Sequence, residues 1–391
     1  MNIKYLSILC IIGSILFIFF PVIFLVFLLP SIFLYNNKKI LIYYIIISIS
    51  TISTINSLRV TSVDLIIYIE RYNLYGQQSW LEFLSSFHPD FLFYFTNKII
   101  YDLSFGNQYI MIFFWSFVIY SLLAYSLYLL LINKKITKEA FALGLVLLLF
   151  STTFLSLSSH LVRQMVASSF FTLYIVFFFL GNQKTLLLIP MVTIHFSSII
   201  LLVPIFVKNK ILYIALFVLA IYIARSDTNI FSFIFREIPV LNISFLDFIL
   251  NHINGAMNKT KDDGSVPIII YLVSVFLILF LIFLIKIEKK IEYTKLLYPF
   301  LYIFLLYNLF FSIQLLWLRY SFYQYSFYFI LLSILFTYIQ KQFKLIKFLY
   351  FVLSMVVFMK FYLFFDNNYW SSNSHIINLV DQNIFYLLNL I

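Results

Sequence analysis

Of the 26 basic residues in this 391-residue chain, six are arginines, and none of them stands in a lysine cluster. They are Arg59, Arg71, Arg163, Arg225, Arg236 and Arg319. A guanidinium differs from an ammonium in presenting a rigid planar fork of donors that meets phosphate oxygens two at a time. A set of arginines held apart from the lysines is what an anionic headgroup, such as a lipid pyrophosphate, would favour. The competing reading is structural, with each arginine paired to a nearby carboxylate. Arg71 and Arg236 sit beside Glu70 and Glu237 and suit that reading best. Arg163 lies in Ser158-Ser159-His160-Leu161-Val162-Arg163-Gln164, with no carboxylate near it in sequence, at the mouth of an apolar helix. An ionisable group at such a depth is costly and marks a functional candidate. Arg319, alone between two aromatic-rich stretches, falls under the same argument.

Two further groups can move protons. His195 is followed by Ser197-Ser198 and sits where an apolar stretch is expected to break; imidazole titrates near neutrality and can act as a base or hold a phosphate. A hydrogen-bonded packing histidine is the alternative. Asp64 follows Arg59 by five residues and precedes Tyr68 by four, so on a helix Asp64 and Tyr68 share a face. The same three residues can instead cap the preceding helix.

The elements that position these groups follow from composition. With 63% hydrophobic, 21% aromatic and only 10% charged residues, the chain is far from the roughly 25% charge of a soluble domain. Long uncharged runs, such as 5–37, 103–133, 164–183, 296–318 and 320–340, match the ~20 residues that cross a bilayer as a helix. They lack strand-like alternation, so helices satisfy the backbone in lipid. The expected fold is all-α, one polytopic membrane domain over 1–391 with about 11–13 spans. Lysine clusters at Lys38-Lys39, Lys134-Lys135-Lys138, Lys184, Lys208-Lys210, Lys286 through Lys295 and Lys341-Lys344-Lys347 are placed on the cytoplasmic side. The net charge of +11 is then topological, and no nucleic-acid partner is implied. Outward loops follow at 59–108, 158–164, 226–266 and around Arg319, between spans at roughly 40–58, 109–132, 140–157, 165–180, 211–225, 267–285, 296–318, 320–339 and 346–365. The 59–108 loop contains an apolar stretch from Phe91 to Tyr101, too short to span and expected to lie in the interface. Residues 5–35 form one tilted helix or a hairpin broken near Pro21. Residues 185–207 cross once, or form two short helices turning near His195 with Pro190 and Pro204 loosening the backbone; the second is favoured because both flanks bear lysine. A single cysteine, Cys10, and only seven glycines speak against a disulfide framework, a zinc cluster or a phosphate-cradling glycine loop, and no metal or cofactor is expected.

Taken in order, Arg59…Asp64…Tyr68, the span start Arg163-Gln164…Ala167, the element His195-x-Ser197 and the late Arg319-Tyr320 resemble the EpsG family of Wzy-type polysaccharide polymerases. The resemblance covers about residues 40–210 in motif order and the remainder in hydropathy and spacing. It implies a fold like the C-type membrane glycosyltransferases, in a bacterial plasma membrane with the active site facing outward. It also implies transfer of a growing glycan from polyprenyl pyrophosphate to a new lipid-linked oligosaccharide repeat, with a chain-length regulator as a further partner. On that basis Arg59, Arg163 and Arg319 hold the pyrophosphate, His195 or Asp64 is the base, and Tyr68, Gln164 and Ser197 support them. Some related polymerases carry glycine sixteen residues after an arginine; here Phe179 takes that place and Gly181 is nearest. A flippase for the same lipid-linked repeat and a glycan ligase using the same donor are the competing functions.

Overall fold

The computed structural model describes residues 3–21, 24–25, 38–58, 63–86, 88–206, 213, 215, 218, 268–309, 314–343 and 346–363, and among them there are helices and no strands. Arg59, Arg225, Arg236, the 226–266 loop and most of the 211–225 stretch lie outside the described residues. The α-helices are α1 (Ile3–Phe19), α2 (Lys38–Ser57), α3 (Val63–Gln77), α4 (Trp80–Ser85), α5 (Phe91–Ser104), α6 (Gln108–Ile132), α7 (Lys138–Phe150) and α8 (Thr152–His160). They continue as α9 (Val162–Phe179), α10 (Leu188–Ile194), α11 (Val203–Phe206), α12 (Ile268–Lys286), α13 (Thr294–Leu309), α14 (Gln314–Gln342) and α15 (Ile346–Leu363). By length and composition, α2, α6 and α9 can each cross a membrane, and the bent pair α7–α8 makes a fourth candidate. The expected span 320–339 falls within the 29-residue α14, and others fall on shorter apolar helices, at 271–286 and 348–357 among them, or on residues outside the described set.

The chain forms two compact units, 1–199 with 328–391, and 200–327. In the first, α2 is rich in isoleucine, serine and threonine. Several of its hydroxyls bond back to its own carbonyls, Thr51 to Ile47 at 3.1 Å and Thr54 to Ser50 at 2.9 Å, which offsets their desolvation cost. Asn56 reaches instead to other helices, donating through Nδ2 to Ser116 Oγ at 2.9 Å and Ser158 Oγ at 2.8 Å. At the start of α7, Thr137 caps the helix through Ala140 N–H, and its own hydroxyl donates to Gln340 Oε1. Gln340 Nε2 donates in turn to Glu139 at 3.0 Å, which fixes the end of α14 against α7. The second unit packs Tyr213, Tyr302, Leu305 and Leu306 together, and Ser274 of α12 bonds Gln324 of α14 at 3.1 Å.

Three expectations change. The stretch 140–157 is not one straight span: Ser151 accepts from Phe154 N–H as the cap of α8, and the two helices bend by 56°. The loop expected at 158–164 reduces to Leu161, a single residue between α8 and α9. Arg319 does not mark the connection between two spans, because α14 starts at Gln314 and runs through it; its side chain lies outside the described residues. The helix break expected in 185–207 does fall at His195, where α10 ends in an extended residue (φ −144°, ψ 95°) and a 3-10 helix, Phe196–Leu202, begins.

Between α2 and α6 the chain builds a layer of three helices, α3 to α5. A capping box starts α4, with Ser79 Oγ accepting from Glu82 N–H and Glu82 accepting from Ser79 N–H at 2.8 Å. Lys98 is buried and spends its donors on Gly76 O at 2.8 Å and Asp102 at 2.9 Å, which ties α5 to the end of α3. Large apolar side chains face outward from this layer, including Leu74, Leu81, Leu84, Phe91 and Leu103. Asn97 accepts from Trp115 Nε1 at 2.7 Å and so locks the inner face of α5 onto α6.

Candidate functional site

One face of α3 builds one wall of the site. Asp64, Tyr68, Arg71 and Tyr75 are spaced four, three and four residues apart, the spacing that aligns side chains along a helix. Each meets a partner from outside α3. Asp64 Oδ2 lies 3.2 Å from Nε2 of His160, the last residue of α8. One turn on, the Tyr68 ring lies 5.1 Å from the Arg163 guanidinium carbon. One turn further, Arg71 Nη1 donates to Tyr94 Oη at 2.5 Å. Tyr75 closes the row against Tyr94 and His88, with ring centroids at 5.1 and 4.4 Å.

Arg163 is at the centre. It is the second residue of α9 and its side chain is only 20% exposed. Its Nη1 donates to Asp90 Oδ2 and, at 3.2 Å, to Tyr94 Oη, while the rings of Tyr68, Phe93 and Tyr94 surround its planar face. Nε is buried and makes no hydrogen bond among the described residues. Two guanidinium groups, Arg71 and Arg163, thus converge on one phenolic oxygen. Among the described residues Asp90 is the one carboxylate paired with either, so the cluster carries a surplus positive charge. The start of α9 adds to it, because Leu161 at the N-cap offers no side-chain acceptor to the first-turn N–H groups.

Asp90 joins this cluster to the third wall. It occupies the N-cap position of α5, yet its side chain makes no capping bond there. Oδ2 goes to Arg163, and Oδ1 accepts from Phe196 N–H at 2.7 Å, at the start of the 3-10 turn. His195, half-buried beside that bond, has Nε2 2.7 Å from Ser197 Oγ. Ser198 is buried and donates to Met191 O at 3.0 Å, fixing the turn on α10. Burial, and next the positive charge of Arg71, hold the His88 imidazole below its ordinary range; burial, and next Tyr94, hold the Tyr75 phenol above its own.

Asp64 and Tyr68 share one face of α3 and meet His160 and Arg163 respectively. Arg71, which suits a pair with Glu70, instead shares Tyr94 with Arg163. Gln164 is buried at the start of α9, and Ser197 is exposed. Asp90, Tyr94, Phe93 and His160 complete the site without a motif to announce them. Only the helix-start pattern Pro89-Asp90 before an apolar run draws attention to Asp90, and it points to a cap.

No curated protein sequence and no solved structure matches the chain. Among known protein families, the EpsG family matches residues 42–377, and that match takes in all of the residues that build the site. The chain therefore belongs to the EpsG family, a family related to the Wzy-like polymerases, and is a membrane protein of polysaccharide biosynthesis.

Proposed function

We propose that this protein is a polymerase that transfers a growing glycan from its polyprenyl pyrophosphate onto a new lipid-linked oligosaccharide repeat, at the outer face of the bacterial plasma membrane. The observation that carries the reading is the pair Arg71 and Arg163 on the Tyr94 oxygen, with Asp90 as their carboxylate. Two cations held together with incomplete neutralisation favour binding of an anion, and planar guanidinium groups suit its phosphate oxygens. In the reaction, negative charge builds up on the departing lipid pyrophosphate. Fixed donors aimed at that charge stabilise the transition state without having to reorganise. Arg163 and Arg71 take this part here. Arg59 is assigned to the same anion from the sequence pattern. His195 and Ser197, across Asp90 from Arg163, offer hydrogen-bonding groups for the sugar hydroxyls of a repeat.

The test is glycan length in cells that depend on this chain. Wild-type protein is expected to give a ladder of long surface glycan, and Arg163→Ala inserted at matched level to leave single repeats on the surface. A surface bare of repeats in that variant points to a flippase or ligase and ends the polymerase reading. A normal ladder ends the assignment of Arg163.

A further inference from the structure

The site holds a second chemical device one helical turn from the arginines, and it rests on the polymerase reading above. His160 Nε2 and Asp64 Oδ2 are 3.2 Å apart, with side chains 30% and 36% exposed, so the pair is both joined and reachable. The same two walls carry the neighbouring rung, Tyr68 against Arg163. Asp64 and Tyr68 are four residues apart on α3, a rise of about 6 Å; His160 and Arg163 are three residues apart across the Leu161 break. The imidazole and the guanidinium therefore stand on neighbouring rungs against the same face of α3, about one helical turn apart.

We infer that His160 is the general base of the glycosyl transfer and Asp64 its positioning residue. The carboxylate accepts a hydrogen bond from Nε2–H and so sets the tautomer, which makes Nδ1 the basic nitrogen. The acceptor hydroxyl gives its proton to Nδ1 as its oxygen bonds to the anomeric carbon of the donor glycan. The bond from that carbon to the phosphate oxygen breaks at the same time, and its electron pair leaves with the lipid pyrophosphate toward Arg163 and Arg71. His195 is the less suitable base, because the described partner of its Nε2 is the neutral hydroxyl of Ser197 rather than a carboxylate.

The experiment uses membrane vesicles that carry the full chain and the cell's own lipid-linked repeats, with elongation followed on gels from about pH 5 to about pH 8, the range in which an imidazole changes charge. Wild-type elongation is expected to fall off on the acid side. His160→Gln is expected to lose about 10²- to 10⁴-fold in rate and to lose the acid limb, while retention of added farnesyl pyrophosphate stays as in wild type. Asp64→Asn is expected to keep the limb with a plateau about tenfold lower or more, and Asp64→Glu to recover part of it. His195→Gln is expected to keep the limb. Elongation by His160→Gln at the wild-type rate, or with the acid limb intact, overturns the assignment. Should that variant not insert, Asp64→Asn at the wild-type rate overturns it. Wild-type vesicles that never elongate sink the polymerase reading, and this assignment with it.

Discussion

Replacing Arg163 with lysine keeps a positive charge on a flexible stem and removes the planar fork. The structure sets what is lost. Nη1 serves Asp90 and Tyr94 together, and the guanidinium carbon lies 5.1, 5.9 and 5.8 Å from the ring centroids of Tyr68, Phe93 and Tyr94. A lysine ammonium can keep the Asp90 contact, but it cannot lie flat among three rings while still reaching the phenol. The hydrogen bond to Tyr94 accounts for about 1 kcal/mol. The partly desolvated stacking adds about 1–2 kcal/mol. Together that is about 2–3 kcal/mol, and at 1.36 kcal/mol per tenfold it corresponds to about 30- to 150-fold in elongation rate if all of it is expressed in the transition state. Arg163→Ala also strands the Asp90 carboxylate and should abolish elongation. The assay is the rate of ladder growth in vesicles matched for inserted protein, with thermal unfolding in detergent as a control for stability. Wild-type elongation by Arg163→Lys would refute the argument that the planar group, rather than charge alone, performs the work.

Asp90→Asn keeps an oxygen for Phe196 N–H and removes the counter-charge on Arg163. Thermal stability should fall by about 1–3 kcal/mol, while inorganic pyrophosphate should bind about tenfold more tightly because a nearby like charge is gone; weaker binding in a thermal-shift titration would show that Asp90 does not compete with the anion. His88 is held below its ordinary pKa in the folded layer, so the unfolded chain takes up the proton first. Its contribution is complete above about pH 6.5 and is lost as pH falls from there toward the folded value. Melting curves between about pH 7.5 and about pH 5.5 should therefore drop more steeply for wild type than for His88→Phe. At Gly76, an added Cβ would come within 2.2 Å of the Tyr101 ring. Gly76→Ala should cost about 1–3 kcal/mol in unfolding free energy and loosen the Lys98 bond to Gly76 O, which is readable as faster amide exchange in α5.

The helical, membrane-embedded character was legible because composition and run length leave lipid few alternatives. The break at His195 was legible too, since lysines on both sides of 185–207 conflict with a single crossing. Arg71 shows how a local pattern misleads. Its place seven residues after Asp64 put it on the working face of α3, but Glu70 beside it suggested a simpler partner. Asp90 stands 73 residues from Arg163, and an aspartate ahead of an apolar helix normally reads as a cap. Nothing local records that it forgoes capping. The pairing of His160 with Asp64 depends on the bend at Ser151, which aims the end of α8 at α3, and no proline or glycine flags that bend.

Asn56 has a mechanical consequence. Its amide engages Ser116 on α6 and Ser158 on α8 at once, deep among side chains that offer few substitutes. Sliding α2 by a single turn, about 5.4 Å, would abandon both bonds, so the amide works as a pawl against axial slippage of three rods. Ser158 is two residues from His160 and five from Arg163. The axial position of the imidazole and the guanidinium is thereby indexed to one carboxamide on a helix that contributes none of the described reactive groups.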